Sequence, residues 1–146
     1  MSRHIARRWR FYTAGPETKA KLCGLNEDKR KAAEGVPEWL VVTLASEHKL
    51  TEKLGLEDHA ACACAVQNFM LSLASEGIAS KWMTGALGAP PEAVLECVGA
   101  GRGHHIGYDE KLMGAIWYGY PATALSENAT APRRKKGLEG VLTACA

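Results

Sequence analysis

The chain has 146 residues, 47% hydrophobic and 23% charged, with a formal net charge of +2. That length and balance fit one domain, residues 1–146, with a single core, and the charge is too small to argue for a nucleic-acid partner. No apolar run approaches the roughly eighteen residues that a membrane-spanning helix needs, so no membrane association is expected.

Trp9 to Thr13 (WRFYT) is aromatic and β-prone and reads as a short strand closed by Gly15-Pro16. A helix is expected over Pro16 to Lys31, with Pro16 suited to its first turn and Gly24 as a candidate interruption. Glu38 to Leu44 (EWLVVTL) reads as a strand buried on both faces, because its apolar run does not alternate. Ser46 to Leu56 is polar and reads as a loop. Asp58 to Ile78 (DHAACACAVQNFMLSLASEGI) is the strongest helix, with Asp58 as its expected cap and Gly77 at its exit. Its apolar residues point nearly all the way round, and a chain this short has little interior to surround them, so burial against a second copy is expected. Lys81 to Ala89 (KWMTGALGA) reads as a turn-rich loop, and Pro90-Pro91 opens a helix, PPEAVLECV. A glycine-rich loop over Gly99 to Tyr108 precedes a third strand, Lys111 to Tyr120, and Leu138 to Thr143 offers a last short one. Helices and strands alternate, which fits a sheet covered on both faces.

Few motifs carry chemistry by themselves. The cysteines Cys23, Cys62, Cys64, Cys97 and Cys145 show neither CxxC spacing nor a disulfide framework. That points to a reducing, cytoplasmic compartment, although the arginine-rich start MSRHIARRWR loosely resembles an organelle transit peptide. Gly101-Arg102-Gly103 matches neither GxGxxG nor GK[ST], and His104-His105 has no carboxylate at ligand spacing, so no metal is expected. No nucleophile, acid or base stands out, and the catalytic residues stay unknown; the protein is then either not an enzyme or one whose cofactor does the chemistry. Asn68, inside the apolar helix, reads as a buried amide with a structural partner. Trp82 reads as core, while Thr84 and Gly85 could offer a hydroxyl and a bare backbone N–H to a polar ring edge. Arg133 and Lys135, at alternate positions of an extended segment, could grip a phosphate, or belong to a solvated basic tail.

Several of these segments, taken in order, resemble the nitroreductase-like flavoproteins: WRF at Trp9 to Phe11, VPEWLVVT at Val36 to Thr43, the helix and KWMTG block at Glu57 to Gly85, LMGAIWYGYPA at Leu112 to Ala122, and PRRKKGLEGVL at Pro132 to Leu142. The resemblance implies an α+β, three-layer fold with a central mixed, mostly antiparallel sheet between helices. It implies a homodimer joined along the long helix, FMN at the interface, and hydride passing from NAD(P)H through FMN to a nitro-aromatic, quinone or similar small-molecule acceptor. By position, Arg133 and Lys135 would hold the FMN phosphate. Trp82, Met83, Thr84 and Gly85 would lie beside the flavin ring, and His4 loosely matches a polar loop position. Members usually open with a helix bearing an Arg-x-Ser-x-Arg-type motif, which this sequence lacks, so an N-terminally truncated domain is expected, missing charge-assisted contacts of roughly 1.5–3 kcal/mol each. Two functions follow: an FMN-dependent oxidoreductase, or a flavin-free relative that acts as a structural or interaction protein.

Overall fold

The computed structural model describes residues 8–46, 48–85, 87–100 and 110–124. The elements are strand β1 (Trp9–Thr13), helices α1 (Pro16–Gly24) and α2 (Glu27–Glu34), strand β2 (Glu38–Ala45), helix α3 (Lys53–Ser75), strand β3 (Ala79–Met83), helix α4 (Pro91–Val98) and strand β4 (Glu110–Gly119). The strands form one sheet in the order β1-β2-β4-β3, and every described pairing is antiparallel.

β2 shows why this order closes. Its residues from Trp39 to Ala45 are all buried, as the unbroken apolar run predicts. Trp39 and Val41 point to one face, where they meet Leu22 and Cys23 of α1, Ala33 of α2, Val94 of α4, Leu87 and Ala115. Leu40, Val42 and Leu44 point to the other, against Cys62 and Val66 of α3 and Ile116 of β4. The fold is therefore α+β and three-layered, with α3 on one face of the sheet and α1, α2 and α4 on the other.

β4 serves both layers by means of a bulge. Val42 pairs with Gly114 and Thr43 with Leu112, which leaves Met113 as an extra residue. The bulge resets the alternation, so Met113 and Ile116, an odd number of positions apart, both pack on the α3 side. Leu112 and Ala115 pack on the other.

Four expectations need correction. The helix expected to end at Lys31 runs on to Glu34 and is two helices, interrupted at Gly24 as that glycine suggested, with Asn26 starting the second by accepting a hydrogen bond from the Lys29 N–H at 3.3 Å. The loop expected to run to Leu56 ends earlier, and α3 starts at Lys53. Gly55 is there because a side chain at that position would collide with the Lys49 carbonyl, not because the chain turns. Asp58 thus lies inside α3 and is no cap; it accepts from the Ser46 hydroxyl at 2.7 Å and pairs with Arg8 at 3.3 Å. The expected loop over Lys81 to Ala89 begins as a strand, since β3 pairs with β4 from Ala79 to Met83. At its other end α3 closes as expected: the Gly77 and Ile78 amides donate to the Ala74 and Leu73 carbonyls. The expected strand over Leu138 to Thr143 lies outside the described residues.

Candidate functional site

The end of β3 gathers most of the expected site residues that can be described. Register pairs Trp82 with Ile116 and Met83 with Ala115, so the two side chains leave opposite faces of the strand. Trp82 packs with the α3-side cluster, and its indole N–H donates to the Met113 carbonyl at 3.2 Å. Met83 turns the other way, into a small cleft of about 100 Å³ whose walls include Thr84, Leu87, Val94, Leu112 and Gly114. Thr84 and Gly85 are exposed at its mouth, where the chain leaves the sheet. His4, Arg133 and Lys135 lie outside the described residues, so their distance from this corner is not defined.

The corner fits part of what FMN requires. Apolar walls suit a flat ring, the Thr84 hydroxyl and the open space beside Gly85 suit its polar edge, and no charged side chain among the described residues lines the cleft. A phosphate would need cations from elsewhere, and Arg133 and Lys135 are the residues that the sequence offers. Leu87, Val94, Leu112 and Gly114 were not anticipated as site residues. Gly114 carried a readable signal, since an isolated glycine in an apolar strand marks a bulge or a close backbone approach.

A polar group sits at the start of β4, two residues before Leu112. The Glu110 carboxylate, with 3% of its side chain exposed, pairs with Arg10 and accepts from the Tyr12 hydroxyl at 2.8 Å and the Thr43 hydroxyl at 2.7 Å. Burial, and then the hydrogen bond to Glu110, raise the Tyr12 pKa above its ordinary 10.0. The group ties β1, β2 and β4 together on the α1–α2–α4 side. The carboxylate, both hydroxyls and Arg10 Nη1 face one another, while Arg10 Nη2 is buried without a hydrogen-bond partner among the described residues; the group acts as a structural clamp. Elsewhere, burial pushes the Cys62 thiol up to about 11, so it is a core side chain rather than a nucleophile. Asn68, expected to be buried, is exposed on the outer side of α3. Among the described residues no group of three or more His, Cys, Asp or Glu could hold a metal ion, and no helix is long and apolar enough to cross a membrane.

An antiparallel sheet with one long helix on one face, short helices on the other and an open corner at an edge strand defines a three-layer α+β domain. The sequence model of the nitroreductase family matches residues 6–120, and the chain belongs to that family. Among solved structures it resembles a nitroreductase-like family protein from Bacillus cereus, with a TM-score of 0.67 at 20% identity over 99% of this chain and 77% of that one. It also resembles a putative nitroreductase from Desulfovibrio desulfuricans in complex with FMN, with a TM-score of 0.64 at 21% identity over 95% of this chain and 73% of that one. The NADPH:FMN oxidoreductase from Vibrio harveyi, complexed with NAD+, matches with a TM-score of 0.63 at 16% identity over 85% of this chain and 55% of that one. At these identities the likeness speaks to the fold. No curated protein sequence matches the chain.

Proposed function

We propose that the protein is an FMN-dependent oxidoreductase of nitroreductase type, which takes reducing equivalents from NAD(P)H and delivers them to a nitro-aromatic, quinone or similar small acceptor. The observation that carries this reading is the Thr84–Gly85 corner, exposed beside an apolar cleft in the segment where the family resemblance puts the flavin ring. The Desulfovibrio relative's FMN and the Vibrio relative's NADPH:FMN oxidoreductase activity support it. When bound, FMN supplies the two-electron chemistry, and the chain's own task is to hold and orient it. Thr84 offers a hydroxyl and Gly85 a backbone N–H to the ring edge, and Met83 an apolar wall. Arg133 and Lys135 are the proposed phosphate ligands, and His4, which loosely matches a polar loop position of the family, is a further proposed contact.

The same reading makes the protein a homodimer paired along α3. In the single chain Leu54, Leu56 and Leu71 are 51%, 59% and 58% exposed, although one helix carries all three. A second copy would cover them and build the second wall of the flavin site.

The test is direct. The purified chain is expected to be yellow, or to take up added FMN with quenching of the flavin fluorescence, and then to oxidise NADH or NADPH when a quinone or nitro-aromatic is supplied. A colourless protein that leaves FMN fluorescence untouched would end this reading and leave the flavin-free, interaction-type relative.

A further inference from the structure

Trp82 is spent before any ligand arrives. An indole has a single donor and no acceptor, and this one is committed to the Met113 carbonyl. That carbonyl belongs to the extra residue of the β4 bulge, where the regular ladder is interrupted. The hydrogen bond forms because Gly114 is bare. A Cβ there would lie 2.7 Å from the Met83 carbonyl oxygen, 2.8 Å from Trp82 Nε1 and 3.2 Å from Thr84 Cα, and the residue's φ of 129° is one that other residues rarely adopt. All three close neighbours come from the consecutive residues that lead into the Thr84–Gly85 corner. The bulge, the bare glycine and the indole thus converge on that corner, and Trp82 holds it from the face opposite the cleft.

We propose that Trp82 is a positioning residue for the flavin site: by latching its indole onto the Met113 carbonyl across Gly114, it presets the Thr84–Gly85 corner in the conformation that receives the ring edge. This rests on the flavin reading given above and assigns Trp82 a different role from direct ring contact. A loosened corner would spend part of its time in conformations unable to bind, and apparent affinity falls in proportion to the competent fraction.

Trp82→Phe tests this in the full chain, because it keeps an aromatic ring for packing and removes the donor. Gly114→Ala is the second variant; it crowds Nε1 and leaves the indole intact. Two quantities are read: hydrogen exchange of the Thr84 and Gly85 amides in flavin-stripped protein, and FMN affinity together with the position of the bound flavin's visible bands. Each variant is expected to keep its far-UV circular dichroism, to exchange at Thr84 and Gly85 roughly fivefold faster, and to bind FMN roughly three- to tenfold more weakly with shifted bands. Unchanged exchange in Trp82→Phe overturns the latch whatever Gly114→Ala does, because the alanine methyl also meets the Met83 carbonyl and Thr84 Cα directly. Faster exchange with unchanged FMN affinity and bands overturns its role in flavin positioning. If the wild-type chain binds no FMN, the flavin reading fails and takes that role with it, while the exchange measurement still decides whether the latch exists.

Discussion

The two faces of the sheet are built from the same strand and finished differently. On one, Trp39 and Val41 of β2 meet three short helices, which spend their few apolar residues inward. α2 buries only Ala33 and shows the solvent an ionic surface, with Arg30 bonded to both Glu27 and Glu34. On the other face a single long helix does the covering. α3 buries Gly55, Cys62 and Val66 and carries Ala60, Cys64 and Leu71 on its uncovered side. A short polar helix can finish a surface. A long apolar one covers a sheet with one stripe and leaves apolar residues such as Leu71 exposed in the single chain.

The largest effect is expected on the closed face. Trp39 is fully buried, with its ring centroid 4.9 Å from that of Trp117. Trp39→Ala should destabilise folding by about 3–5 kcal/mol in urea unfolding, since the short helices around it are pinned by other contacts and cannot collapse into the space. Trp39→Phe should cost far less, because the indole N–H that it removes has no hydrogen-bond partner among the described residues. A Phe variant as unstable as the Ala variant would mean that the N–H has a partner after all.

The open face should respond in the opposite way. Leu71→Arg changes a side chain that is 58% exposed in the single chain, so it should alter the chain's folding by no more than about 0.5 kcal/mol. If α3 pairs with its copy, the same change puts unpaired charge into the contact and should weaken dimerisation by about tenfold or more in sedimentation experiments. A dimer indifferent to Leu71→Arg would move the interface elsewhere.

How much of this was legible in the sequence depended on whether the signal was local. β2 could be read because an unbroken apolar run has one meaning in a sheet, and α4 because Pro91 and Glu92 suit a first helical turn ahead of an apolar run. β3 could not: Ala, Ser and Lys have little strand preference, and the glycines that follow read as a turn. What makes it a strand is β4, distant in sequence. The Glu110 clamp was hidden for the same reason, as its partners Arg10 and Tyr12 lie 100 and 98 positions away. Of the site, Thr84 and Gly85 gave a weak signal on their own that the family resemblance strengthened, and the faces taken by Trp82 and Met83 needed the register.

The smallest predicted effect separates the two faces by pH. Tyr12 packs on the closed face and Tyr118 on the α3 face, and both phenols are raised above 10.0, chiefly by burial. A raised pKa means that the folded state holds the proton more tightly than the unfolded one. The stabilisation is therefore complete below about pH 10 and is lost as pH climbs through the folded values. Tyr12→Phe has no such proton to lose. It should cost about 1 kcal/mol at neutral pH, where the hydrogen bond to Glu110 disappears, and then fall less steeply than the wild type as pH rises above about 10. Tyr118 has no hydrogen bond to a carboxylate behind its shift, only burial and the charge of Glu38. Tyr118→Phe should thus flatten the alkaline fall at little cost at neutral pH. If both variants lose the same stability at neutral pH, the Glu110 clamp adds nothing that burial does not, and the closed face owes its rigidity to packing alone.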